Sequence, residues 1–553
     1  MKYIYSLVFC FSIFATTVIG QSMNMTLLST WTDNTLPISS GVRFNDCWGF
    51  VKGAKEYAVL GSRYEIHFFD ITNPTAPVNI ANFDNGSNSV WRDFKTYGNY
   101  VYAVCDEINP SAEGLIVFDF SALPLGSITQ VHQNNITFQK AHNIFIDEPT
   151  GKLYVAGANT ANMIIFDLLA NPAAPTVVYS GSLAGAYVHD VHVRNNKMYC
   201  SHGFNGMYVY NVTNPATPVL LGSNLAPNSG YNHSSWLNAS GSHLIMAEET
   251  WGKPLKVLNV NDPSNMSIES TFISALIPGT FPAPYVGSIV HNPFIKGNLC
   301  YLAYYHEGIQ VYNISNPLMP VRVAYYDTEP TNTNYDSYQG AWGVYPYLPS
   351  GTIIGSDVKN GLFLMSVAAS VLPIEIKSFN VKTNKEKVNV AWETENEINV
   401  QSFDIQRSSD GKDFFSVHTE TPKGKANRSQ SYQWNDDAPL EGTSYYRLKT
   451  IEKDDHFEYS KMESVLFERN TIRFYPNPIK NEMQIDFGKN KIEQNANYSF
   501  EIYDLQGKLI QTLKPFLGEK TMQITIDLPN GHYSFLLKNE NEIILKEIFN
   551  VLK

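Results

Sequence analysis

The chain has 553 residues, a net charge of −12, and 43% hydrophobic and 13% aromatic residues. That length exceeds one ordinary core, so several domains are expected. The acidic balance argues against a nucleic-acid partner, and no stretch after the N-terminus approaches the ~20 apolar residues of a membrane helix.

Residues 1–20 have the pattern of an export signal. Lys2 provides the positive start, Tyr5 to Ile19 are apolar or small, and small residues before Gln21 suit cleavage there. Cys10 lies inside the apolar run, a poor place for a lipid-bearing N-terminus. The mature protein is expected to be soluble outside the inner membrane. An exported chain can pair its cysteines, but Cys47, Cys105, Cys200 and Cys300 are far apart in strand-like runs. They are expected to be free and buried, with pairing the alternative.

From residue 21 to 371 one unit recurs: a turn, an alternating apolar strand, an aromatic or apolar residue before Asp or Asn, then often Asn-Pro-x-x-Pro. Its copies include RYEIHFFDITNPTAPV at 63, NGMYVYNVTNPATPVL at 205 and EGIQVYNISNPLMPVR at 307. Aligned at Asp70, Asp119, Asp167, Asn211, Asn259, Asn313 and Ser366, they step by 49, 48, 44, 48, 54 and 53 residues. Each step holds four strand-sized runs punctuated by Gly, Asn and Pro. That is the length class of a propeller blade, far longer than a β-helix rung, and it lacks a helical period. Seven copies predict a seven-bladed β-propeller. The last copy lacks its fourth strand, whereas TLLSTWT at 26–32 is a strand without a blade. The N-terminal strand is therefore expected to close the ring, removing the exposed seam.

This unit, with AHNIFIDEPTG at 141–151 and AWGVYP at 341–346, resembles the LVIVD-repeat, or choice-of-anchor B, propellers. The resemblance covers about residues 26–370. It implies a fold but no reaction and no catalytic motif.

A second repeat precedes each strand copy. It carries Trp48, Trp91, His142, His189, His233, His291 and Trp342. A blade's first strand is innermost, so this position is expected to line the central channel. Loops expected on the same face contain Asp106, Asn159, His202, Glu248 and Glu249, His306 and Asp357. Ten of the thirteen histidines fall in the repeat region. Two roles compete for the ring. Its nitrogens can hydrogen-bond a neighbouring blade's backbone as a fold-wide device. Alternatively, the mouth binds a ligand: a glycan, peptide or protein, or a transition metal held by imidazoles and carboxylates. The Asx-rich loops leave Ca²⁺ open, although no full D-x-D-x-D-G loop is present. Aromatics of GTFPAPY at 279–285 and NTNYDSYQGAW at 332–342 are candidate sugar platforms. No G-x-S-x-G, H-E-x-x-H or P-loop occurs, so an enzyme, metal-dependent if the ring holds an ion, is the alternative to a binding and adhesion scaffold.

From residue 372 to 470 charged residues become denser and the strands longer, with DG, EG and DD turns, which predicts a β-sandwich. Trp392, Glu397, Phe403, RSSDG at 407–411 and YYRLK at 445–449 resemble the fibronectin-III-like modules that precede bacterial sorting domains. Trp392 is expected in the core.

The segment 471–553 contains FYPNP, with Tyr475, Pro476, Asn477 and Pro478, then YDLQGK with Gly507. LPNGHY follows with Gly531 and Tyr533, and a terminal apolar strand carries Lys546. These motifs resemble a type A sorting domain of type IX secretion. The resemblance implies passage across the outer membrane of a Bacteroidetes-type bacterium. It also implies contact with the secretion machinery and its sortase, and tail removal within Phe467–Phe474. Release, or attachment to surface polysaccharide, would follow.

Overall fold

The structure is a computed structural model. It describes residues 22–553 except 85–87, 109–110, 226–229, 278–286, 333–334, 336, 369–373, 396, 398–399, 425–428, 454–456, 469–471, 489–495, 518–519 and 541. The export signal, the GTFPAPY aromatics and part of the expected tail-cleavage segment lie outside the described residues. The chain divides into two compact units, Met1–Pro373 and Ile374–Lys553.

The first unit is a seven-bladed β-propeller. Seven antiparallel sheets follow one another, each starting from an inner strand: Phe44–Lys52, Arg92–Tyr97, Asn143–Asp147, Asp190–Arg194, Asn232–Leu237, Pro293–Lys296 and Ala341–Tyr345. Inner strands of successive blades pack side by side, and the seventh blade returns to the first. The turn chemistry explains the repeat. In six blades the aligned Asp or Asn accepts a hydrogen bond from the backbone N–H two residues on, from Asp70 with Thr72 at 3.0 Å to Asn313 with Ser315 at 2.9 Å. This Asx turn ends the third strand, and the following proline cannot extend it. In the fourth blade the inner hairpin turns on Asn195 and Asn196, whose φ values of 51° and 58° are those a two-residue loop requires.

Closure follows the expectation from the sequence. Met25–Trp31 pairs antiparallel with Gly361–Val367, with Leu27 opposite Met365, and so supplies the seventh blade's outer strand. Trp31 then packs its ring on Phe69 and Phe44 of the first blade at 4.7 and 6.0 Å. Just upstream, Ser22–Met23 pairs with Val321–Tyr326 of the sixth blade. The N-terminal leg therefore ties both last blades, and the second of these ties left no mark in the repeat. All four cysteines are buried and free.

In the second unit, a three-stranded sheet (Glu375–Asn384, Lys387–Glu395, Ser429–Asp436) accompanies a five-stranded one built on Val400–Ser408 and Gly442–Glu452. Trp392 is buried and stacks on Tyr432 at 5.0 Å and 5°. The Tyr432 hydroxyl donates to the buried Glu397 carboxylate, which Thr394 and the Gly424 N–H also satisfy. Two further four-stranded sheets follow, centred on Glu482–Asp486 and Tyr498–Tyr503, around a separate core that includes Ile485, Phe500 and Phe535. No helix among the described residues is long and apolar enough to cross a membrane.

Candidate functional site

Four consecutive blades each bring a histidine to the start of the inner strand. His142, His189, His233 and His291 form a stack with ring centroids 4.0, 4.2 and 4.2 Å apart. One ring nitrogen is fixed by its surroundings. Nδ1 of His189 lies 2.9 Å from the His233 carbonyl, and Nδ1 of His291 lies 2.7 Å from the Trp342 carbonyl, in each case on the next blade. A carbonyl only accepts, so Nδ1 is the protonated nitrogen and Nε2 keeps its lone pair. For His233 the His291 carbonyl accepts instead from Ser234 Oγ at 2.9 Å, and His233 Nδ1 is buried without a hydrogen bond. His142 has no blade carbonyl. Its Nδ1 meets Asp106 Oδ2 at 2.9 Å, and Lys140 Nζ holds the other oxygen at 3.0 Å. Burial drives the pKa values of His189 and His233 well below 6.5 and that of His291 to about 3, with neighbouring imidazoles adding to the effect in each case. These rings are neutral acceptors at physiological pH.

Two sets of ligating atoms come within 4.8 Å of one another: His142, His189 and His233; and His233, Glu249 and His291. Glu249 lies 3.7 Å from His233 Nε2 and accepts a hydrogen bond from the Tyr305 hydroxyl. Burial lifts the Glu249 carboxyl to about 7. The sequence offered Glu248 and Glu249 together, but the Glu248 carboxylate turns inward to a buried ion pair with Lys256. Alternation along the loop was the signal, and only the blade register fixes its phase. The other loop residues also stay with local partners. His202 Nδ1 bonds the Gly185 carbonyl at 3.0 Å, His306 packs against Tyr335, and Asp357 binds Thr328 and the backbone of Lys359 and Asn360. Of the predicted loop set, Asp106 and Glu249 contact the histidine stack.

The tryptophan positions shift. The cross-strand pairs Cys47 with Leu60, Phe94 with Ala103, and Ile144 with Val155 make Asn45 and Arg92 the counterparts of His142. Trp342 holds its predicted place against His291 at 4.6 Å. Trp91 stands one residue earlier and is 42% exposed beside His142. Trp48 stands three residues further along, in a deeper aromatic layer with Phe294 and Tyr345, under the Lys95 ammonium. The first inner strand also bulges by one residue between Phe44 and Cys47. Arg92 spends its guanidinium on the buried Glu113, so the second blade offers no ligand.

Between the histidine stack and the aromatic layer lies a small polar chamber of about 20 Å³, lined by Asp46, Asp93, Asn143, Asp190, Ser234 and Asn292 among others. Lys95 Nζ sits 2.6 Å from Asp93, and burial raises the Asp46 and Asp190 carboxyls. Gly343 completes this level because a Cβ there would meet Asp46 Oδ1 at 2.5 Å. Above the histidines, aromatics form a rim: Tyr187 and Tyr231 against His189 at 6.1 and 5.2 Å, Phe204 against Tyr231, and Tyr338 between Tyr305 and Trp251. Gly157 allows this rim to close, since a Cβ there would meet the Tyr187 hydroxyl at 2.7 Å and His142 Cβ at 2.8 Å.

At the other end of the chain, the sorting motifs build turns and a strand edge. Gly507 takes φ +82° in a turn whose Asp504 carboxylate accepts from the N–H groups of Gln506 and Lys508. Asn477 Oδ1 accepts from the Asn550 N–H at 2.9 Å, and Tyr533 donates to the Pro529 carbonyl at 3.0 Å. Gly531 opens the long hairpin in which Lys546 lies opposite Leu536.

Fold and C-terminal motifs together define an exported β-propeller protein with a sorting tail. Residues 473–550 match the secretion system C-terminal sorting domain, Por_Secre_tail. The match marks the protein for type IX secretion to the cell surface or extracellular space. No curated protein matches the chain. Among solved structures, a Lactobacillus plantarum protein is similar at 10% identity and a TM-score of 0.40, over 66% of this chain and 95% of that one. The extracellular domain of a proposed one-component system of B. thetaiotaomicron is similar at 11% identity and a TM-score of 0.40. That likeness covers 76% of this chain and 57% of the other.

Proposed function

We propose that the protein is a surface-displayed binding propeller of the LVIVD-repeat, choice-of-anchor B type, which takes an extracellular glycan or peptide on its channel-mouth face. The aromatic rim over the histidine stack carries this reading. Phe204, 80% exposed, and Trp91, 42% exposed, leave large apolar faces in water beside hydroxyls and carboxylates. Such surfaces stack on sugar rings or peptide side chains while the polar groups fix orientation. The β-sandwich from residue 374, fibronectin-III-like in its core residues, serves as spacer. The tail engages the secretion machinery and its sortase, and surface polysaccharide is the anchor where the protein is retained. Glycan and peptide arrays probed with the mature protein test the reading. A hit should weaken at least tenfold in Trp91→Ala and Phe204→Ala, exposed positions where the fold tolerates change. A hit indifferent to both places binding elsewhere and rejects the mouth.

One observation favours a second reading, an extracellular enzyme at the same mouth. Glu249, with its carboxyl near 7, touches both an imidazole and the Tyr305 phenol. That is a proton-transfer set. Turnover of an array ligand that stops in Glu249→Gln would establish it.

A further inference from the structure

We propose that His142, His189 and His233 form a mononuclear site for a borderline transition-metal ion, Zn²⁺ or Cu²⁺, with a coordination position open toward the mouth. The site lies on the same face as the proposed binding surface, but its test needs no external ligand, so the two readings fail separately.

The argument begins with the direction of lone pairs. One nitrogen from each ring lies within 4.8 Å of the other two. At His142 and His189 the opposite nitrogen is already engaged, by Asp106 at 2.9 Å and by the His233 carbonyl at 2.9 Å. With Nδ1 donating to the His233 carbonyl, the Nε2 of His189 is a lone-pair acceptor beside the rings of His142 and His233. A buried lone pair without a protein donor calls for a cation or a water O–H between the rings. The carboxylate on His142 adds to the case: Asp106–His142 is the pair that fixes the tautomer and raises the basicity of a metal-bound imidazole. Lys140 pins that carboxylate from its other side.

Donor type selects the ion. Three imidazoles without thiolate or multiple carboxylates suit Zn²⁺ and Cu²⁺ and disfavour Ca²⁺ and Mg²⁺. The open side follows from burial. His189 and His233 are buried, whereas the His142 side chain is 14% exposed and provides the approach from solvent. Glu249, 3.7 Å from His233 Nε2, stands beside the open position.

The experiment uses full-length mature protein made without a histidine tag. Metal-free protein is titrated with Zn²⁺ and with Cu²⁺ by calorimetry, and the Cu²⁺ form is examined by electron paramagnetic resonance. One ion per chain, with hyperfine coupling to several nitrogens, is expected. His142→Ala should abolish tight binding, and Asp106→Asn should weaken it by about 10–100-fold, with far-UV circular dichroism confirming the fold. His243→Ala, outside the stack, should bind as the parent does. Should His142→Ala fail to fold, the nitrogen count in the parent protein decides. No stoichiometric binding of either ion by the folded parent, or a Cu²⁺ spectrum with oxygen ligands only, overturns the proposal.

Discussion

His67 is neutral in the folded propeller because burial opposes its charge. Its Nδ1 and Nε2 lie 3.0 and 3.1 Å from Asn82 Oδ1 and Ser62 Oγ, and its ring packs against Trp31 at 5.4 Å. Desolvation lowers its pKa to about 4; Arg92 adds to this, while the Asn82 bond and Asp33 oppose it. The unfolded chain takes up the proton near 6.5 and the folded chain only near 4. Stability from this residue is therefore complete above about pH 6.5 and falls as pH drops toward 4, by at most about 3 kcal/mol. Asp327 and Asp357, lifted to about 6 by burial, act in the opposite sense. The comparison with a variant isolates the histidine. His67→Gln, which retains amide hydrogen bonding, should lose less stability than the parent between about pH 7 and 4.5 in urea unfolding. Equal losses would show that His67 is not the titrating group.

The seventh blade depends on a strand from the far end of the unit. Deleting residues 22–31 exposes the edge of Gly361–Val367 and removes Trp31 from Phe44 and Phe69. An unpaired edge of alternating apolar residues is also an aggregation site. The truncated protein should melt at least 10 °C lower and aggregate at micromolar concentration, measured by thermal circular dichroism and light scattering; unchanged melting would show that closure carries little stability. The blades themselves were legible because Asx turns and prolines punctuate every third strand. The histidine position was legible in four consecutive blades because the same residue type recurs there, even at His233, where the inner strand bulges between Asn232 and Ser234. It failed in the first blade, where Trp48, three residues beyond the counterpart position Asn45, was aligned with the ring. In the second, Trp91 was placed one residue off because Arg92 occupies the position with an ion pair rather than an aromatic ring. Glu248 and Glu249 differ only in the face they present, and that is decided by pairing across the sheet.

The whole molecule is two compact units with separate cores, Met1–Pro373 and Ile374–Lys553, so calorimetry should resolve more than one unfolding transition. Removal of residues 471–553 should leave the propeller folded but abolish its appearance in the medium and on the cell surface in a host with type IX secretion. Immunoblots of fractionated cells check this, and continued export would show that the match at 473–550 is not the address. Repeat number, the closing strand, the sandwich and the sorting tail were determined by the sequence alone. Local turn chemistry and period-2 alternation specify them, and both are written in neighbouring residues. The tertiary structure decided which side chains meet at the mouth. His142, His189 and His233 come from separate blades and Asp106 from the blade before them. Their convergence depends on ring closure, on bulges and on the tautomer that the next blade's carbonyl sets at His189, and none of these is a property of a stretch of chain.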